Sequence, residues 1–340
     1  MEKNTDKKYV KSKLSNIIKN TLITHVPMYS KVYGDVYCPI YELRNPMTGA
    51  KTEEEYEIYN KDGQRMRQFF IRDAHINFNH TTNHRSKYFI WDFYNFALNT
   101  HFYSHHAMLQ QMGKPERKYG FLIESEIIKP RDYDIFNRHK GLEKDFDYIF
   151  TFSEKILDSV ENARFFAGFA SSWYKDSDDK IYQKKTKNIS ILSSNKVMTD
   201  LHKLRLSIAN QYKNSDKVDT YGTFAGADGR CNIIDTLKDY RYTFAIENDR
   251  KPYYFTERLT SSFRTMTIPI YIGATKIQNF FNTDGMIIIE PKDFDNIDKI
   301  IAQCSKKDYE ERLSAVIDNY HRAEKYINVW DTLFEDYLKE

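Results

Sequence analysis

Cysteine is scarce in this chain. Cys38, Cys231 and Cys304 are the only three in 340 residues, an odd number without metal-type spacing. That excludes a disulfide framework and fits a reducing compartment. Glycine (12) and proline (8) are also few, against 41% hydrophobic residues, a packed, ordered composition rather than a disordered one. No apolar run approaches the roughly 18 residues of a membrane span, and the start, MEKNTDKKYV, opens no signal-peptide core. An excess of one charge is missing too: 51 basic residues against 48 acidic leave a net charge of +3. A chain built to neutralise a phosphate backbone is usually more lopsided, so no nucleic-acid partner is expected. There is no Walker-type loop, no dinucleotide glycine fingerprint and no nucleophile elbow. Asn79-His-Thr and Asn188-Ile-Ser match the glycosylation pattern by chance, since no secretion signal accompanies them.

What is abundant is aromatic residues, 15% of the chain, and a rhythm in its second half. Short β-rich runs recur at Asn188-Ile-Ser-Ile-Leu-Ser, Lys217-Val-Asp-Thr-Tyr, Arg241-Tyr-Thr-Phe-Ala-Ile, Ile268-Pro-Ile-Tyr-Ile and Met286-Ile-Ile-Ile. Helix-like stretches lie between and after them, over 200–213, 232–239, 254–266, 276–283 and 293–304. This alternation predicts βαβ units and a parallel, doubly wound sheet covered on both faces. The first half is less regular. Its strand candidates are Tyr88-Phe-Ile-Trp, Tyr119-Gly-Phe-Leu-Ile, Phe146-Asp-Tyr-Ile-Phe-Thr-Phe and Ala163-Arg-Phe-Phe-Ala, with a helix expected over Asn95 to Gln111. The polar run Lys175-Asp-Ser-Asp-Asp-Lys-Ile-Tyr-Gln-Lys-Lys-Thr-Lys reads as a linker. Asp308 to Glu340 has apolar residues at helical spacing, which suggests amphipathic helices packed on a core. The expected division is 1–180, 181–305 and 306–340.

Ligands of open parallel sheets bind beyond the carboxyl ends of the strands. After the 241–246 run comes Glu247-Asn248-Asp249, then Pro252 as a helix start signal, with Phe255, Leu259, Phe263 and Met266 on one helical face. Arg258 then falls in the first turns, where the helix dipole disfavours a cation, unless an anion such as phosphate lies there. The alternative is a solvated pair with Glu257 or Asp249. Arg205 either points into the same crevice or is a solvated helix charge. Ser194 and Asn195 either bind a ligand or cap the following helix. Glu124 and Glu126, at the end of a strand, are either a general base or ordinary turn residues. His101, His105 and His106, and likewise His75, His80 and His84, form groups that no cysteine or carboxylate completes as a ligand set, so they read as structural or exposed.

Three linked pieces, Tyr240-Arg-Tyr-Thr-Phe-Ala-Ile-Glu-Asn-Asp, Tyr254-Phe-Thr-Glu-Arg-Leu and Thr267-Ile-Pro-Ile-Tyr-Ile-Gly, resemble in order and spacing the signature of the α-1,3/4-fucosyltransferase family. Val218-Asp-Thr-Tyr-Gly222, Ser193-Ser-Asn195 followed by Arg205, and Glu124-Ser125 followed by Phe146-Asp-Tyr resemble its weaker segments. The likeness runs roughly from residue 117 to 300. It implies an α/β fold of the GT-B type, two Rossmann-like domains with the active site between them. The activity implied is inverting transfer of L-fucose from GDP-fucose to a glycan hydroxyl. Carried over by position, Glu124 is the implied base and Arg205 and Arg258 neutralise the diphosphate. Ser194, Asn195, Glu247, Asn248, Tyr254 and Glu257 belong to the donor site. No metal motif is seen and no cofactor is required, a divalent cation at most assisting.

The chain departs from the family's pattern at three places: Arg258 stands for Lys, Glu126 for Pro and Asp249 for Ser or Thr. The second leaves Glu124 and Glu126 open as the base, and the third adds negative charge where phosphate is expected. Two readings therefore stand beside fucosyl transfer: a GT-B transferase using another nucleotide sugar, and a nucleotide- or sugar-binding module without catalysis. The glycan acceptor is an oligosaccharide, a polysaccharide or lipid-linked. A cytoplasmic location is expected, with peripheral contact at the inner face of a membrane through Lys3, Lys7, Lys8, Lys11, Lys13 and Lys19 weighed against a solvated arm.

Overall fold

The computed structural model describes residues 23–30, 34–41, 58–59, 64–72, 86–92, 95–226, 229 and 231–339. The basic N-terminal stretch, Asn79 and His75, His80 and His84 lie outside them. Contacts group the chain into two compact units, one of residues 1–122, 131–150 and 159–164, the other of 123–130, 151–158 and 165–340.

The first unit holds β1 (Ile23–Ser30) and β2 (Gly34–Tyr41), an antiparallel pair. Its main sheet contains β3 (Ile58–Tyr59), β4 (Arg65–Arg72), β5 (Phe89–Asp92), β6 (Thr100–Ser104), β7 (Arg117–Leu122), β8 (Tyr148–Thr151) and β9 (Ala163–Phe165). β4 pairs in parallel with β5 and β6, and β6 with β7; β3 is antiparallel to β4. The short helix α1 (Ile135–Arg138) lies between β7 and β8, and α2 (Glu154–Ser159), between β8 and β9, falls almost wholly in the residues of the second unit. The helix expected over 95–111 is not formed. Thr-His-Phe-Tyr-Ser finds partners on both sides as β6, with four successive residues buried, and a single 3-10 turn follows at His105–Leu109. His101 Nδ1 lies 2.8 Å from Tyr103 Oη, and His105 Nδ1 lies 3.1 Å from Asp132.

The second unit is built on β10 (Lys187–Leu192), β11 (Asp219–Tyr221), β12 (Tyr240–Ile246), β13 (Ile268–Ile272) and β14 (Ile287–Ile288). Their order is β11-β10-β12-β13-β14 and every pairing is parallel. The strands are apolar because both faces are covered: Ile189, Ile191, Tyr242, Phe244, Ile268 and Ile270 are all buried in one core. Helix α3 (Asp200–Tyr212) follows β10, and α4 (Glu257–Arg264) lies between β12 and β13. Then come α5 (Ile297–Gln303), α6 (Lys306–Glu311), α7 (Leu313–Arg322) and α8 (Val329–Leu333). The terminal helices pack as expected, with Tyr309, Val316 and Tyr320 inside the core. Two other expected helices shrink to 3-10 turns, Ile233–Thr236 and Ile277–Asn279, each too short to bury a helical stripe.

The run expected to be a linker is anchored to this core at two residues. Ile181 is buried, and Lys185 is buried with its Nζ donating to the Leu237 carbonyl at 3.1 Å and to Thr267 Oγ1 at 2.8 Å. Most of the run is exposed, as its polarity suggested, but Ile181 and the hydrogen-bonded Lys185 anchor it to the unit. Strand order in this sheet reverses between β10 and β12, which both start from the middle and leave in opposite directions. Their carboxyl ends therefore flank the crevice where open α/β sheets hold ligands.

Candidate active site

Both guanidiniums singled out in the sequence come to that crevice. Thr199 Oγ1 accepts the His202 N–H at 3.1 Å and caps α3, which carries Arg205 inward. The Arg205 side chain is 2% exposed, and its Nη1 donates at 2.7 Å to the carbonyl of Ile246, the last residue of β12. It is not a solvated helix charge. Arg258, on α4, donates from Nη1 across a long 3.5 Å to the carbonyl of Leu192, the last residue of β10. Each arginine thus sits on the terminus of one of the two strands that define the reversal. Among the described residues neither makes an ion pair, so the expected alternative of Arg258 pairing with Glu257 or Asp249 does not occur. Burial, with Arg258 alongside, pushes the Arg205 pKa down to about 9, which leaves it charged at neutral pH.

The helix behind Arg258 starts later than Pro252 signalled. Thr256 is its cap, with Oγ1 accepting the Arg258 N–H at 3.3 Å. The reason is Glu247, which follows β12 and is 1% exposed. Its two carboxylate oxygens accept the Thr256 N–H at 2.9 Å and the Thr256 hydroxyl at 2.8 Å, holding 252–256 as a turn. Burial, then the neighbouring Glu257, raise the Glu247 pKa to about 7. Glu247 therefore supports the site from beneath and has no face toward solvent. Gly273, at the end of β13, must lack a side chain, since a Cβ there would come 2.5 Å from Glu247 Cγ.

Tyr254 is buried beside Asn248, whose side chain hydrogen-bonds its hydroxyl, and it lies in the fields of Glu124, Glu247 and Glu257. Asn248 Oδ1 is buried without a partner of its own among the described residues. Glu124 belongs to this unit because residues 123–130 pack here, and its Oε1 accepts the Ser125 N–H at 2.8 Å. Asp249 does not add free charge to the crevice, contrary to expectation. Its Oδ2 accepts from Ser125 Oγ and from the Ile127 N–H, each at 3.1 Å, and its Oδ1 from the Arg250 N–H at 2.8 Å. The carboxylate is consumed in fixing the segment that carries Glu124. Glu126 is paired with Lys251 at 3.0 Å.

Ser194 and Asn195 follow β10, but they do not cap α3; Thr199 does. Ser194 Oγ accepts the Lys196 N–H at 3.5 Å, and Asn195 is exposed. The neighbouring Gly222 has φ +108°, and any Cβ there would overlap the Ser193 carbonyl oxygen, so this glycine sets the shape of the strand end. Against α4, a hollow of about 60 Å³ is lined by Leu192, Ile233, Thr236, Trp173, Glu257 and Arg258, an apolar wall with one carboxylate and one guanidinium at its rim. Sequence reasoning passed over His202, which lies within electrostatic reach of Arg205, Lys196 and Arg258. The three-residue step from His202 to Arg205 was the available signal.

A doubly wound sheet with two cations free of ion pairs at its reversal offers an anion a place beyond the strand ends. Residues 182–335 match the family described as glycosyltransferase family 10 (fucosyltransferase) C-term. A curated relative, the "Putative fucosyltransferase-like protein" of Arabidopsis thaliana, is 30% identical over 69 residues; the match covers 20% of this chain and spans 14% of the length of that relative. Solved structures that are similar include an alpha1,3-fucosyltransferase with GDP (15% identity, 84% of this chain and 95% of that one, TM-score 0.47). Another is the pneumococcal O-GlcNAc transferase GtfA in complex with UDP and GlcNAc (14% identity, 71% and 57%, TM-score 0.42). Among the described residues no helix is long and apolar enough to cross a membrane.

Proposed function

We propose that the chain is an inverting glycosyltransferase that moves L-fucose from GDP-fucose to a hydroxyl of a glycan acceptor. The observation that carries this reading is the pair of guanidiniums, each seated on the carboxyl end of one switch-point strand and neither joined to a carboxylate. Two buried or half-buried like charges side by side are tolerated when an anion completes the set. A diphosphate does so, because it accepts bidentate guanidinium bonds and gains charge as it leaves. The hollow beside Arg258 has Glu257 and Arg258 among its lining residues, next to the end of β10.

As the bond to the sugar stretches, negative charge grows on the leaving phosphate and oxocarbenium character grows on the sugar, as in glycoside hydrolysis. Arg205 and Arg258 stabilise that phosphate charge more in the transition state than in the ground state. The reading needs no metal for this step, a divalent cation at most assisting. Glu124 is the base that takes the acceptor proton. Glu126 is the lesser candidate because Lys251 holds its carboxylate. The reading assigns Asn248 and Tyr254 to the transferred sugar.

Turnover of a panel of nucleotide sugars by the purified chain, followed by release of the nucleoside diphosphate, tests the donor class. GDP-fucose is expected to dominate. A better donor with another base or sugar would establish the alternative transferase, and GDP binding without turnover would establish a binding module. Arg258→Ala should lower kcat/KM by about 10²–10³-fold, and Glu124→Gln should lower kcat by about 10²–10⁴-fold. Wild-type donor binding and turnover in Arg258→Ala would sink the phosphate assignment. Normal turnover in Glu124→Gln with a dead Glu126→Gln would move the base to Glu126.

A further inference from the structure

Three cations act on one buried imidazole. His202 is 5% exposed, in the first turn of α3, and its backbone N–H is taken by Thr199. The charged groups that act on the ring are Arg205 on its own helix, Lys196 from the loop before it and Arg258 from α4. No carboxylate is among them. His202 Nδ1 is buried without a hydrogen-bond partner among the described residues, and so is Nε of Arg205, three residues on and thus on the same helical face. Two buried, unsatisfied polar atoms on one face of a 13-residue helix, His202 in its positive first turn, suit the same anion.

We propose that His202 is a third phosphate-binding residue of the donor site, its imidazole N–H donating to the diphosphate gripped by Arg205 and Arg258. The inference rests on the donor reading above. A neutral ring suits the place, because a fourth fixed charge would add repulsion to the free protein while a neutral N–H adds a bond only when the anion arrives. Burial, reinforced by the three cations, holds the His202 pKa down at about 4, so the ring is uncharged at neutral pH.

Calorimetric titration of the full chain with GDP and with guanosine separates this role from simple packing. His202→Leu, which fills the space but offers no donor, should weaken GDP about tenfold or more and leave guanosine unchanged, since only GDP carries the acceptor. His202→Gln, with an N–H of similar reach, should bring GDP affinity back to within about threefold of wild type. Equal loss for GDP and guanosine, or full GDP affinity in His202→Leu, would overturn the proposal. Should His202→Leu not fold, ¹⁵N resonances of the wild-type imidazole decide: they must move with GDP and stay still with guanosine, and stillness with both overturns it. Arg258→Ala keeps the two readings apart. If it weakens GDP while His202→Leu does not, only the role of His202 falls; if neither does, the donor site itself falls.

Discussion

Glu247 is a carboxylate with no water to stabilise its charge. It is almost fully buried, next to Glu257, and its compensation is two hydrogen bonds from Thr256 and the nearby Arg258. Its pKa of about 7 in the folded chain lies above the ordinary 4.5. The folded state therefore holds this proton between those values while the unfolded chain has lost it. The stability it contributes is fully present below pH 4.5 and is lost as pH rises through about 7. At full strength the change is roughly 3 kcal/mol. Glu247→Gln keeps an acceptor for the Thr256 N–H and removes the titration. Thermal midpoints of both proteins between pH 4.5 and 7.5 should therefore converge at the acid end, with the wild type falling progressively below the glutamine variant toward neutrality. A difference that stays flat across that range would mean that Glu247 is charged throughout.

At the scale of elements, the strands of the second unit were legible and the connections were not. Period and β-branching mark β10, β12 and β13 because both faces of the sheet are apolar, so the signal is local. The turn at 252–256 was misread as helix because its fate depends on Glu247, a residue outside it. The linker was misread because burial of Lys185 depends on carbonyls and a hydroxyl far along the chain. The arginines were legible as candidates from position and resemblance, but the job of Asp249 was not, since its partners Ser125 and Ile127 are more than a hundred residues away. That job gives a test. Asp249→Ala frees the 123–130 segment and leaves the Ser125 hydroxyl and Ile127 N–H without their acceptor. A misplacement of Glu124 of about 1 Å then costs on the order of 10²-fold in kcat, with GDP affinity little changed. The kcat and the GDP dissociation constant of Asp249→Ala measure the two effects separately, and an unchanged kcat would show that Glu124 is held by something other than this carboxylate.

Across the whole molecule the chain passes between its two units at 122/123, 130/131, 150/151, 158/159 and 164/165, so no single cut separates them. The second unit borrows two short segments from the first half. Residues 123–130 satisfy Asp249 and pair Glu126 with Lys251. Residues 151–158 lay Phe152 against Tyr254, with ring centroids 4.7 Å apart, and give Glu154 to Tyr253 and Lys276. The family match begins only at residue 182, yet the buried carboxylate of Asp249 and the ring of Tyr254 need partners from before it. A fragment of residues 165–340 retains every strand of the second sheet and both arginines, so on sequence similarity alone it should suffice to bind a nucleotide. The packing argues otherwise. With an unpartnered buried carboxylate and an uncovered aromatic ring at the crevice, the fragment should melt about 10 °C or more below the full chain, over a broader transition. It should also bind GDP at least about tenfold more weakly. Calorimetric melting and GDP titration of fragment and full chain side by side provide the check, and equal midpoints with equal affinities would mean that the borrowed segments serve only to carry Glu124.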